Sequence, residues 1–69
     1  MQYDHYSISI EWSEEDQVYI ASVPELPGCI THGQTYEEAV HNIIEVKDLW
    51  IETALATGMS VPPPRTKVA

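Results

Sequence analysis

Residues Tyr6 to Trp12 alternate, with Tyr6, Ile8, Ile10 and Trp12 on one side and Ser7, Ser9 and Glu11 on the other, the period of a half-buried strand. The polar run Ser13-Glu14-Glu15-Asp16-Gln17 has hairpin length, and Val18 to Val23 follows as a second, antiparallel strand rich in β-formers. Its apolar residues fall on both faces, which places it in the centre of a sheet or against another chain. Pro24-Glu25-Leu26-Pro27-Gly28 fixes φ twice and adds a permissive glycine, so a bend is predicted there. A short third strand, Cys29 to His32, follows and is ended by Gly33.

Thr35-Tyr36-Glu37-Glu38 reads as a capping box, Thr35 accepting from the backbone N–H of Glu38 while the Glu38 carboxylate reaches back to the N–H of the cap. On a helical wheel Tyr36, Ala39, Val40, Ile43, Ile44, Val46, Trp50, Ile51, Ala54 and Leu55 form one broad stripe, a helix packed on a sheet and ending near Gly58. Glu38, Glu45 and Glu52 recur every seven residues on the opposite side and, with Glu37, His41 and Asp48, make an acidic face. Two residues break the pattern. Lys47 projects from the apolar stripe and reads as a snorkelling stem; Leu49 projects from the polar side. Met59-Ser60-Val61 is expected as a short fourth strand, parallel to the third and reached by a right-handed crossover, before Pro62-Pro63-Pro64 stops pairing. The predicted class is α+β, in the order β-β-β-α-β, with the helix on one sheet face.

At 69 residues the chain makes one domain and buries only about 60% of its unfolded surface, so the core is thin. A lone Cys29 cannot form an intramolecular bridge, which leaves homo-oligomerisation as the expected source of added stability. The formal net charge is −8, and between Asp4 and Glu52 only Lys47 opposes the acids. Such a field repels phosphate backbones and favours a cationic protein partner. Met1-Gln2-Tyr3-Asp4 lacks the basic start of a secretory signal and no 18-residue apolar run exists, so a cytoplasmic location is expected.

Catalysis finds little support. His5, His32 and His41 show no paired metal-ligand spacing, and no metal or other cofactor is expected. Cys29 reads as a small buried hydrophobe without a triad. The helical acids Glu45, Asp48 and Glu52 project away from the sheet, so they cannot converge with Asp4 and Glu11, which flank the first strand, for two-metal chemistry. Trp12, Tyr19 and Trp50 lack the basic groove of a nucleic-acid stacking platform. The chain reads as a binding protein, not an enzyme.

The segment PELPGCITHGQTYEEAV, Pro24 to Val40, resembles the signature of the HicB-like antitoxins, with its proline-glycine bend, short strand, glycine and helix cap. The first strand ending at Trp12, the VYIASV strand and the late Gly58-to-Pro64 stretch fall in that family's order, over residues 3 to 64. Gln34 stands where the family more often has an acid. The resemblance implies a partial RNase H-like fold over residues 1–64, with 65–69 as a flexible tail. It also implies a small basic HicA-like RNA-cleaving toxin as the partner, whose surface the antitoxin masks. Many relatives continue into a DNA-binding segment; this chain stops after PPPRTKVA, so no direct nucleic-acid binding is expected. An orphan homo-oligomeric scaffold or ligand-binding module is the alternative. The partner-binding candidates are Glu38, Glu45 and Glu52 on the acidic face, with Tyr19 and Leu49 as further contacts.

Overall fold

In the computed structural model of the chain, which describes residues 5–67, three strands precede one helix: β1 (Ser9–Ser13), β2 (Val18–Ser22), β3 (Ile30–Gly33) and α1 (Tyr36–Thr57). Asp4, and Val68 and Ala69 of the expected tail, lie outside the described residues. The sheet is antiparallel in the order β1-β2-β3, so β2 is the central strand, in keeping with its apolar residues on both faces. Ser13 pairs with Val18 across the hairpin. Gln17 closes its four-residue loop in the left-handed region, φ 56°, and donates its N–H to the Ser13 carbonyl at 2.8 Å.

β1 begins three residues later than the alternation suggests, and the reason lies in the opposing chain. Continued past the Ser9–Ser22 pair, the register would set Ser7 against Pro24, which has no N–H to offer. The chain bends there instead, through two successive turns closed by Leu26 N–H to the Val23 carbonyl (3.0 Å) and Cys29 N–H to the Leu26 carbonyl (3.1 Å). Gly28 takes φ +76° after Pro27, as a type II turn requires.

Glu25, at the centre of that bend, is buried and ties three segments together. Its carboxylate accepts the Ser7 N–H (3.0 Å), the Ser7 hydroxyl (3.1 Å) and the Arg65 N–H (2.8 Å). Burial pushes its pKa up, but the donated hydrogen bonds outweigh that and hold it below 4.5. A folded pKa below the unfolded one means that the unfolded chain binds the proton more readily. The carboxylate therefore stabilises the fold above about pH 4.5, and that contribution is lost as pH falls through the folded value. Glu25→Gln turns an amide N–H toward a donor and is expected to lower stability at pH 7. The gap between variant and parent in urea unfolding should shrink as pH drops below 4.5; a gap constant with pH would contradict this role.

The capping box forms, with one difference. Glu38 N–H donates to Thr35 Oγ1 at 3.1 Å, but the Glu38 carboxylate reaches the N–H of Gln34 (2.8 Å), one residue before the cap. At the other end Gly58, φ 75°, lets Met59 N–H bond the Ala54 carbonyl at 2.8 Å, the 6→1 bond of a Schellman motif.

Between helix and sheet lie Ala21, Val23, Leu26, Cys29, Ala39, Ile43 and Ile51, with Tyr6, Ile10, Val46, Trp50 and Val61 packed around them. The helix touches β3 most and β1 least. Asn42 Nδ2 donates to the His32 carbonyl at 2.9 Å, and Gly33 sits directly under Ala39. This lean explains why Tyr36, Ile44 and Leu55, members of the expected stripe, are exposed, along with Ile8 and Trp12. Lys47 snorkels: its side chain is 17% exposed, with Nζ 3.4 Å from Asp48 Oδ1.

The expected fourth strand and its crossover do not form; the observed order is β-β-β-α. Three consecutive prolines cannot donate to a ladder, and the segment is held by other bonds. Val61 packs on the core, the Pro62 carbonyl accepts the Tyr6 hydroxyl, and Arg65 is bonded to Glu25. The first residue of the expected tail is thus anchored.

Candidate partner-binding surface

Helical periodicity places Glu38, Glu45 and Glu52 in one row on the outside of α1, all exposed. Among the described residues no lysine or arginine pairs with any of the three. Glu45 lies 3.4 Å from His41 Nε2, a pairing with charge only when the histidine is protonated, and one Glu38 oxygen is held by Gln34 N–H. Lys47, the helix's one cation, lies on the opposite side and is directed to Asp48. The ridge therefore presents an uncompensated negative field into solvent.

Leu49 is 64% exposed and belongs to the flank of α1 that carries Asn42, seven residues earlier. Asn42 reaches β3 at the His32 carbonyl, whereas Trp50, the residue after Leu49, donates Nε1 to the Pro27 carbonyl at 2.9 Å, so Leu49 stands beside the acidic ridge at the level of the Pro-Gly bend. Tyr19 does not join this surface. It lies on the helix-facing side of β2, half-buried, with edge-on ring contacts to Trp12 (5.0 Å) and Tyr36 (5.8 Å). The three rings form a patch on the side the helix leaves open, and Trp12 Nε1 there donates to Glu14 at 2.7 Å. Its openness follows from the lean of the helix, which periodicity alone does not reveal.

By register Glu11 falls with Ile20 and His32 on the sheet face away from the helix, so strand and helix carboxylates stand on opposite sides of the sheet. Among the described residues no three His, Cys, Asp or Glu groups are placed to hold a metal ion. Cys29 is buried, and burial pushes its thiol pKa up despite a backbone N–H from Val23 and the Lys47 charge, so it is no ready nucleophile. Asp16, Val18, Ile20 and His32 line a shallow hollow on the open sheet face. No helix among the described residues is long and apolar enough to cross a membrane.

A family profile described as "HicB_like antitoxin of bacterial toxin-antitoxin system" matches residues 6–69. Similar proteins include the UPF0150 protein ssl0259 of Synechocystis sp., 37% identical over 74% of this chain and 70% of its own length. A second from that organism, UPF0150 protein ssr1765, is 41% identical over 84% of this chain and 72% of its own. UPF0150 protein Ta0767 of Thermoplasma acidophilum is 41% identical over 71% of each. The crystal structure of TTHA0281 from Thermus thermophilus superposes with a TM-score of 0.71 at 24% identity, covering 90% of this chain and 80% of that one, and shows the same fold.

Proposed function

The chain belongs to the HicB-like antitoxins of bacterial toxin–antitoxin systems, and from that premise we propose that it binds and masks a small basic, RNA-cleaving toxin of the HicA-like kind. The observation that carries this reading is the ridge of Glu38, Glu45 and Glu52, negative, exposed and unpaired by any lysine or arginine among the described residues. A surface evolved to hold RNA is positive, and an acidic ridge competes for it while steering association. Masking of this kind is steric and electrostatic; the antitoxin performs no bond chemistry, and its partial RNase H-like sheet acts as a scaffold. Residues 1–64 form the functional domain, which works in the cytoplasm where the toxin finds RNA, and the chain self-associates. The aromatic patch around Tyr19 is a second place for contact.

The test is co-expression with a small basic protein encoded beside this chain. Growth and cellular RNA should be lost when that protein is made alone and restored when both are made. Loss that this chain does not reverse would reject the reading. The hollow of Asp16, Val18, Ile20 and His32 favours a second reading, an orphan ligand-binding module; a chain with no such neighbour, and a small molecule retained through purification, would support it.

A further inference from the structure

The self-association in that reading can be taken to a particular edge. We propose that β3 pairs with β3 of a second copy, antiparallel and centred on Thr31, to give a six-stranded sheet with both helices on one face.

The backbone points the way. Val23 N–H donates to the Cys29 carbonyl at 3.0 Å, one step beyond the Ser22–Ile30 pair, and this single bond sets the phase of the β2–β3 ladder, the Cys29 N–H turning to the Leu26 carbonyl. Hydrogen-bonded pairs alternate in an antiparallel ladder. Ala21–Thr31 and Tyr19–Gly33 are therefore hydrogen-bonded pairs, and the N–H and C=O groups of Ile30 and His32 turn outward. The Asn42 amide reaches the His32 carbonyl from that side, as this geometry requires, and the carbonyl keeps a second lone pair for a partner. A two-fold axis at Thr31 sets Ile30 of one copy against His32 of the other, so each pair exchanges two N–H···O bonds. Thr31 meets Thr31 of the second copy, a favourable cross-strand pair.

Charge decides between the two edges. Ile30-Thr31-His32-Gly33 carries no acid, an uncharged strip on a chain of net charge −8. The other edge is guarded: the same symmetric pairing of β1 would set Glu11 directly against Glu11, beside Glu14, Glu15 and Asp16. An exposed apolar side chain also lies on β3: Ile30 is 59% exposed. The axis is perpendicular to the sheet, so the two helices lie on the same face of it.

The experiment is the mass of the chain in solution, by sedimentation equilibrium, with amide hydrogen exchange alongside. A dimer of the 7.8 kDa chain is expected, with the amides of Ile30 and His32 protected although they face away from β2. His32→Pro removes an outward N–H that the fold's own ladder does not use, and should give a folded monomer. Ile30→Lys, at an exposed position, should weaken the dimer by a tenfold or greater rise in its dissociation constant without altering the circular dichroism spectrum. Glu11→Lys on the other edge should leave the mass unchanged. A monomeric parent with fast exchange at Ile30 and His32 would overturn the self-association itself. An oligomer that both β3 variants leave intact would overturn this edge while leaving self-association standing.

Discussion

Gly33→Ala is expected to destabilise the fold by about 3 kcal/mol, a large share of what so small a domain has. A Cβ at Gly33 would lie 2.5 Å from the Ala39 nitrogen, 2.8 Å from its Cα and 2.9 Å from the Glu38 carbonyl carbon. All three are backbone atoms, so no side-chain rotation relieves the clash. The first turn of α1 is also fixed, by the Thr35 cap and by Ala39 N–H bonding the Thr35 carbonyl at 3.0 Å. Relief would lift the helix start off β3 and open the space that Ala39 and Ile43 fill. The melting temperature should fall by roughly 15 °C. Gly28→Ala is the comparison: no atom lies within 4 Å of its Cβ, and only the backbone preference at φ +76° is lost, a cost of about 1 kcal/mol. Thermal melts in which Gly33→Ala proves no worse than Gly28→Ala would show that the helix is not seated on β3 as described.

Reversing Glu45 and Glu52 together to lysine should weaken toxin binding by about a hundredfold, close to 3 kcal/mol, and mostly through slower association. Both residues are exposed, and neither bonds the backbone, so the helix should keep its stability. The reversal moves the net charge of the chain from −8 to −4 and places two cations on the ridge proposed to meet a basic toxin. Glu38 is best left out of that variant, because its carboxylate also caps Gln34 and a change there mixes folding with binding. Titration of the toxin with parent and variant, each checked by circular dichroism, measures the effect. Equal affinities would remove the ridge from the interface.

These two residue sets show how differently the sequence encodes fold and site. Helical period turns the seven-residue recurrence of Glu38, Glu45 and Glu52 into a row, so the ridge is legible in the sequence. So are the hairpin, the Pro-Gly bend, the capping box and the end at Gly58, each of which depends on chemistry within a few residues. Gly33 was legible only as a breaker; that it must lack a side chain depends on which turn of α1 comes down on it. The same lean leaves Trp12, Tyr36, Ile44 and Leu55 exposed, although their periodicity marks them as core. Met59-Ser60-Val61 has the local character of a strand, and the following prolines together with the Glu25 clasp on Arg65 override it. Tyr19 stands out in the sequence as a further contact beside the ridge, but strand parity puts it on the helix-facing side of the sheet. The outward groups of β3 could not be read at all without the ladder phase that the Val23–Cys29 bond supplies.

The central claim, an acidic surface that occludes a basic RNA-binding one, is tested most directly by the affinity of this chain for a small basic protein encoded beside it, measured by calorimetry from about 50 mM to about 500 mM salt. The account predicts tight binding that weakens steadily as salt rises, with a shallower slope for the Glu45, Glu52 variant. No binding, or an affinity indifferent to salt, would contradict it.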